Sequence, residues 1–203
     1  MKTKILCSLT AGCLAATSVV AVMLAPRVSH PADLSARTDS DFSPYVTKDG
    51  GISLPTDYRD KFMHLGTWAV APKPNQPVHE MHIVYTPAAN VQAYHRDGKF
   101  PDGAVLVKEI CEVGSDKLTT GQSSWVTNIK AWFVMVKDAK GRFPGNDLWG
   151  DGWGWALFEA KDPKRNVATN FRTDCKTCHV PAKNDDWIYV RGYPLLSKSA
   201  PHK

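Results

Sequence analysis

The sequence predicts an α+β domain, mainly antiparallel β-sheet with a few helices and a short helix bearing two cysteines and a histidine near the C-terminus. Three observations carry this. Residues 81–85, 104–113, 129–136 and 153–160 are rich in β-branched and aromatic side chains and bounded by Gly, Pro, Asn and Asp, a strand composition. No segment carries the long 3.6-residue apolar period that a four-helix bundle needs. Residues 31–203 form one domain of ordinary size, able to bury a core without disulfides.

Taken in order, Lys2 and Lys4 precede an uncharged run over residues 5–25, the layout of an export signal. At 21 residues the run also suffices to span a bilayer, so residues 1–30 read as a signal peptide or an N-terminal anchor. Residues 31–52, with Pro44 and Gly50-Gly51, read as a polar linker or arm. Thr56, Asp57, Arg59 and Asp60 open a short helix through Phe62, and residues 72–77 are a proline-rich loop. Thr86-Pro87 is an N-cap and first-turn pair, and Gly98 is a stop, so residues 88–96 should be helical. Residues 170–179 are expected as a helix stopped by Pro181. The globular domain is expected over residues 53–203.

The net charge is +5, of which Lys2, Lys4 and Arg27 supply three, leaving +2 on the rest. That is too little for a nucleic-acid partner. Outside the leader and the C-terminal cysteine pair the sequence has only Cys111, so no second thiol is left for a disulfide, and Cys111 reads as a small buried apolar residue.

Cys175-Lys176-Thr177-Cys178-His179 has the C-x-x-C-H spacing that attaches one c-type haem covalently. The two thiols are placed for thioethers to the haem vinyl groups, and His179 for iron. A zinc site would need a second pair of soft ligands, which Cys7, Cys13 and Cys111 do not supply. A thioredoxin-like dithiol would lie near a βαβ unit and needs no histidine. Covalent attachment of this kind belongs outside the cytoplasm, in agreement with the leader, so a periplasmic location is expected, with residues 5–25 cleaved or kept as an inner-membrane anchor. No methionine follows His179. A methionine ligand would have to be Met63, Met81 or Met135, each more simply a core residue. The expected iron is therefore five-coordinate, with an open distal face.

The segments Tyr58-Arg59, Leu65-Gly66-Thr67, Val84-Tyr85, Asp102-Gly103 leading into residues 105–109, Val136-Lys137-Asp138, the C-x-x-C-H motif and Tyr193-Pro194 resemble, in order and spacing, the cytochrome P-460 superfamily, which includes the cytochromes c′-β. The likeness covers roughly residues 53–196. It implies an antiparallel β homodimer with proximal histidine ligation. Cytochromes P-460 bond a strand lysine to the haem ring and oxidise hydroxylamine, whereas cytochromes c′-β bind nitric oxide or carbon monoxide. Lys108 falls at the matching lysine. Alternation puts Ala104, Leu106, Lys108 and Ile110 on one apolar strand face, where desolvation lowers an amine's pKa. The simpler reading is a lysine laying its stem across an edge strand.

By ungapped matching, the family's distal arginine and carboxylate fall on His82 and Phe133. His82 could relay protons or be a satisfied structural histidine. Phe133 would make the pocket apolar, which suits a diatomic gas. Phe100 is expected to help cap the site, and Trp132, Trp153 and Trp155 to supply core and haem wall. His79-Glu80-Met81-His82 lacks the helical i, i+4 spacing of zinc proteases, and nothing local distinguishes Glu159 or Asp162 as distal acids.

Three functions remain open. The first is an exported haem protein binding nitric oxide or a similar small ligand. The second is a hydroxylamine or nitric oxide oxidoreductase with a Lys108–haem crosslink. The third is a periplasmic electron carrier with a sixth ligand from methionine or His82. A redox partner protein and a homodimer are the expected associations.

Overall fold

A computed structural model describes residues 42–197. Seven antiparallel strands form one sheet: β1 (Met63–Val70), β2 (Glu80–Thr86), β3 (Val105–Leu118), β4 (Gly121–Lys137), β5 (Trp149–Gly150), β6 (Trp153–Glu159) and β7 (Asp162–Asn166). Their order is β1-β2-β3-β4-β6-β5, with β7 also paired to β6. The helices are short: α1 (Tyr58–Lys61), α2 (Ala88–Asp97), α3 (Phe171–Asp174) and α4 (Lys176–His179). The predicted α+β, β-rich class is the observed one.

Alternation over residues 105–110 of β3 gives the sheet two apolar faces. Val105, Val107 and Glu109 turn to one side, against Val134, Val136, Ala156 and Phe158. Leu106, Lys108 and Ile110 turn to the other, where α2 and the C-terminal segment pack with Val84, Met135 and Trp155. Each fully buried Val, Leu or Phe contributes roughly 1.5–3 kcal/mol, so both layers stabilise the sheet. Both also isolate whatever polar group they enclose.

The first face is covered by the chain before β1. Residues 42–52, expected as the end of a polar arm, pack here: Ile52 is buried, Phe42, Tyr45 and Val46 lie against the same cluster, and Val46 bridges to Ile52. Four apolar side chains within a polar composition suffice to hold the segment down. Under it Glu109 is fully buried. It accepts from the Tyr58 hydroxyl and from Arg59 Nε at 2.6 Å, and Trp132 Nε1 donates to the Tyr58 oxygen at 2.9 Å. A buried carboxylate is tolerated only with such partners.

Several expectations shift in detail. β1, β5 and β7 were not predicted, and β3 and β4 extend past residues 113 and 129 into a ribbon turning at Thr119-Thr120. Thr86 does not cap α2: Pro87 holds that position, while the Thr86 hydroxyl donates to the Val105 carbonyl at 2.6 Å and accepts from Asn90 at 2.9 Å. The expected helix over 170–179 breaks at Cys175, whose φ, ψ of −132°, −49° separates α3 from α4. Pro181 does not stop it either, since the chain continues as a 3₁₀ helix (Val180–Asp185) with Pro181 in the first turn, where a missing N–H costs nothing. Among the described residues no helix is long and apolar enough to cross a membrane; the run over 5–25 lies outside them.

Candidate haem site

The second sheet face and the C-terminal segment enclose a cavity of about 330 Å³. Its floor is set by strand register. Val84, Lys108 and Phe133 are successive partners across β2, β3 and β4, with His82 on the same face of β2 as Val84. Trp68 of β1 pairs with His82 and forms a side wall, and Met135 and Trp155 form another. The opposite wall comes from Cys175, Cys178 and His179, with Ile188, Tyr189 and Tyr193.

The C-terminal wall can lie this close because two glycines meet there. A Cβ on Gly66 would stand 2.6 Å from the Gly192 carbonyl, and one on Gly192 would stand 1.9 Å from the Trp68 ring. Neither could be accommodated without moving β1 or the 3₁₀ turn at Val190–Gly192.

Local geometry orients the motif. Asn170 Oδ1 caps α3 by accepting from Arg172 N at 2.9 Å. The Asp174 carboxylate accepts from the backbone N–H groups of Thr169 and Asn170 at 2.8 and 3.1 Å, which holds its pKa down at about 2. The break at Cys175 then turns that thiol inward, and burial raises its pKa to about 11. His179 Nδ1 lies 2.7 Å from the Trp187 carbonyl oxygen. A carbonyl only accepts, so Nδ1 carries the proton and Nε2 keeps its lone pair. Burial lowers the His179 pKa to about 4, preserving that neutral form. Trp155 meets the imidazole edge-on, centroids 5.0 Å apart.

Lys108 is enclosed and lines both this cavity and a second, outer one. β3 is an interior strand, so a lysine lying across a sheet edge is ruled out. Its Nζ stands 4.5 Å from the Phe133 ring centroid, and among the described residues no carboxylate pairs with it. Burial pushes its pKa down. His82 is likewise lowered, first by burial and then by Lys108, against an opposing hydrogen bond of 3.2 Å to Glu80. The outer cavity shares Lys108, His82, Phe133 and Cys178 and has Glu80, Lys130, Glu159 and Lys161 at its rim. It forms a vestibule with a charged rim beside the apolar chamber.

The structure thus brings together all six site residues: Cys175, Cys178, His179, Lys108, His82 and Phe133. Other expectations separate. Trp132 faces the opposite cluster, and Phe100 is packed on Tyr94 and Trp153 without reaching the cavity. Only Met135 of the three methionines lines the cavity, and Asp162 lines neither cavity. Trp68, Tyr189 and Tyr193 were missed. Nothing in β1 announces Trp68, because Gly66 and the register shift at His64/Gly66 interrupt its alternation.

The cavity suits a planar apolar macrocycle. Its lining is mostly aromatic and aliphatic, two thiols front one wall, and one imidazole offers a free lone pair. These residues fit haem. An antiparallel sheet with a C-x-x-C-H segment folded over an apolar chamber defines a β-rich haem-binding cytochrome. The family model Cytochrome P460 matches residues 55–190, and the chain belongs to that family. No curated protein matches the sequence.

Proposed function

We propose that this chain is an exported mono-haem c-type cytochrome. In this reading Cys175 and Cys178 would hold the haem as thioethers, His179 Nε2 would bind its iron, and the chamber beside Phe133 would admit nitric oxide or a similar small ligand. When bound, the haem supplies an iron able to ligate and exchange electrons with small nitrogen oxides. The observation that carries the reading is the apolar enclosure around Lys108 and Phe133, opposite a His179 whose tautomer is already set. Phe133 stands where the two cavities meet and would restrict access to uncharged molecules of small size. The vestibule supplies a route from solvent past His82.

A second reading, hydroxylamine oxidoreductase with a Lys108–haem bond, is favoured by one observation: an enclosed amine without a carboxylate partner, beside the motif thiols. That bond would replace one amine N–H and one ring C–H, a two-electron oxidation that calls for oxygen or a peroxide. An electron carrier would instead need Met135 or His82 as sixth ligand.

Proteolysis of the mature protein followed by mass spectrometry separates these. Haem on the Cys175–Cys178 peptide alone supports the gas-binding reading; haem joined also to the Lys108 peptide favours the oxidase. A ferrous protein that takes up carbon monoxide readily excludes the six-coordinate carrier. Export rests on residues 1–25 and is tested by N-terminal sequencing of the periplasmic fraction. The homodimer, supported by the family resemblance, is tested by the mass of the purified protein in solution. The redox partner protein proposed with it would be sought by cross-linking.

A further inference from the structure

Asp186 and Trp187 are consecutive non-glycine residues with positive φ, 57° and 67°. Asp tolerates this region, but a bulky tryptophan adopts it rarely, and such backbone persists only where its surroundings over-determine it. Two contacts do so here. The Lys137 ammonium, at the end of β4, lies 2.5 Å from Asp186 Oδ1, with the two side chains 12% and 17% exposed. Trp153 Nε1, on a fully buried ring, donates to the Asp186 backbone carbonyl at 3.0 Å. The Trp187 N–H donates to the Ala182 carbonyl at 3.0 Å and closes the turn. Asp186 Oδ2 is buried with no hydrogen-bond partner, so the carboxylate sits here at a desolvation cost.

This turn delivers one product to the site. The Trp187 carbonyl, whose direction is fixed by the left-handed backbone at residues 186 and 187, accepts the Nδ1 proton of His179 at 2.7 Å. We propose that Lys137 and Asp186 are positioning residues for His179: their ion pair holds the strained turn that presents the Trp187 carbonyl to His179 Nδ1, and thereby sets the orientation and donor strength of Nε2. The proposal rests on the reading of His179 as iron ligand. A carbonyl at Nδ1 pulls on the N–H and makes Nε2 the stronger donor, a role that such outer partners fill at metal-bound histidines.

The test uses resonance Raman spectra of the ferrous holoprotein and its reduction potential. Lys137→Met and Asp186→Ala should move the iron–histidine stretching band to lower frequency and the potential to more positive values. Asp186→Asn keeps an acceptor for Lys137 and tolerates positive φ, and should restore both towards the parent. If Lys137→Met does not yield folded holoprotein, the double variant Lys137→Met/Asp186→Asn, which leaves no unpaired buried charge, is measured against Asp186→Asn and should show the same shifts. Folded Lys137→Met or Asp186→Ala protein, or the double variant measured against Asp186→Asn, with an unshifted band and potential would overturn the positioning role. The underlying reading fails separately: isotopically labelled histidine must shift that band in the parent protein, and an unshifted band shows that no histidine ligates the iron.

Discussion

The Lys108 ammonium stands 4.5 Å from the centroid of the Phe133 ring, its direct partner across the β3–β4 ladder. Contact with a ring face stabilises a cation by about 0.5–2 kcal/mol, less than burial without a carboxylate costs. The pair is therefore poised for a change at either residue to be felt in the chamber.

Phe133→Ala should widen the passage between the two cavities. The expected outcome is faster carbon monoxide association with the ferrous protein, measured by flash photolysis, together with a modest loss of stability because the ring is only partly buried. An unchanged association rate would remove Phe133 from the ligand's route.

Lys108 should leave a signature in the pH dependence of stability. Burial lowers its folded-state pKa, so the unfolded chain, with a value of about 10.4, binds this proton more tightly. The mismatch destabilises the fold at neutral pH and disappears as pH rises towards about 10.4. Lys108→Met lacks the term. It should be more stable than the parent near neutrality, and the difference should narrow in alkaline solution, as read from urea midpoints. Parallel curves would show that the amine is solvated, or already bonded.

The Glu109 cluster should show unequal partners. Tyr58→Phe removes a hydrogen bond to a fully buried carboxylate and is expected to cost about 2 kcal/mol. Arg59 is 55% exposed, so solvent screens its pairing, and Arg59→Ala should cost less, about 1 kcal/mol. Chemical denaturation of both variants checks the order; a larger loss at Arg59 would reverse this account.

Gly192→Ala would place a methyl group against the Trp68 ring. Moving that ring should destabilise the protein by about 1–3 kcal/mol and alter its near-ultraviolet circular dichroism. A variant with the parent's spectrum and stability would show that β1 and the C-terminal turn are not in such close contact.

Much of the site is legible because its signals are local. The C-x-x-C-H spacing is read in five residues, and the two-residue period of β3 places Lys108 on an apolar face. The same period already separates Trp132 from Phe133, although both were expected near the haem. β1 is harder to read: Gly66 is present because Gly192 approaches it, and that contact joins residues far apart in sequence. The register between β2, β3 and β4, which gathers His82, Lys108 and Phe133, also depends on pairing between distant segments.

By itself, then, the sequence determined the cofactor class, the strand composition and the chemistry available at each site residue. Only the tertiary structure decided how those groups are used. It made β3 an interior strand, which encloses the Lys108 amine instead of letting it reach water along an edge. It also fixed the His179 tautomer through the Trp187 carbonyl, whose turn is pinned by an ion pair between residues 49 positions apart. A side chain's identity is local, but its solvation and hydrogen-bond partner are set by whichever distant segment packs against it.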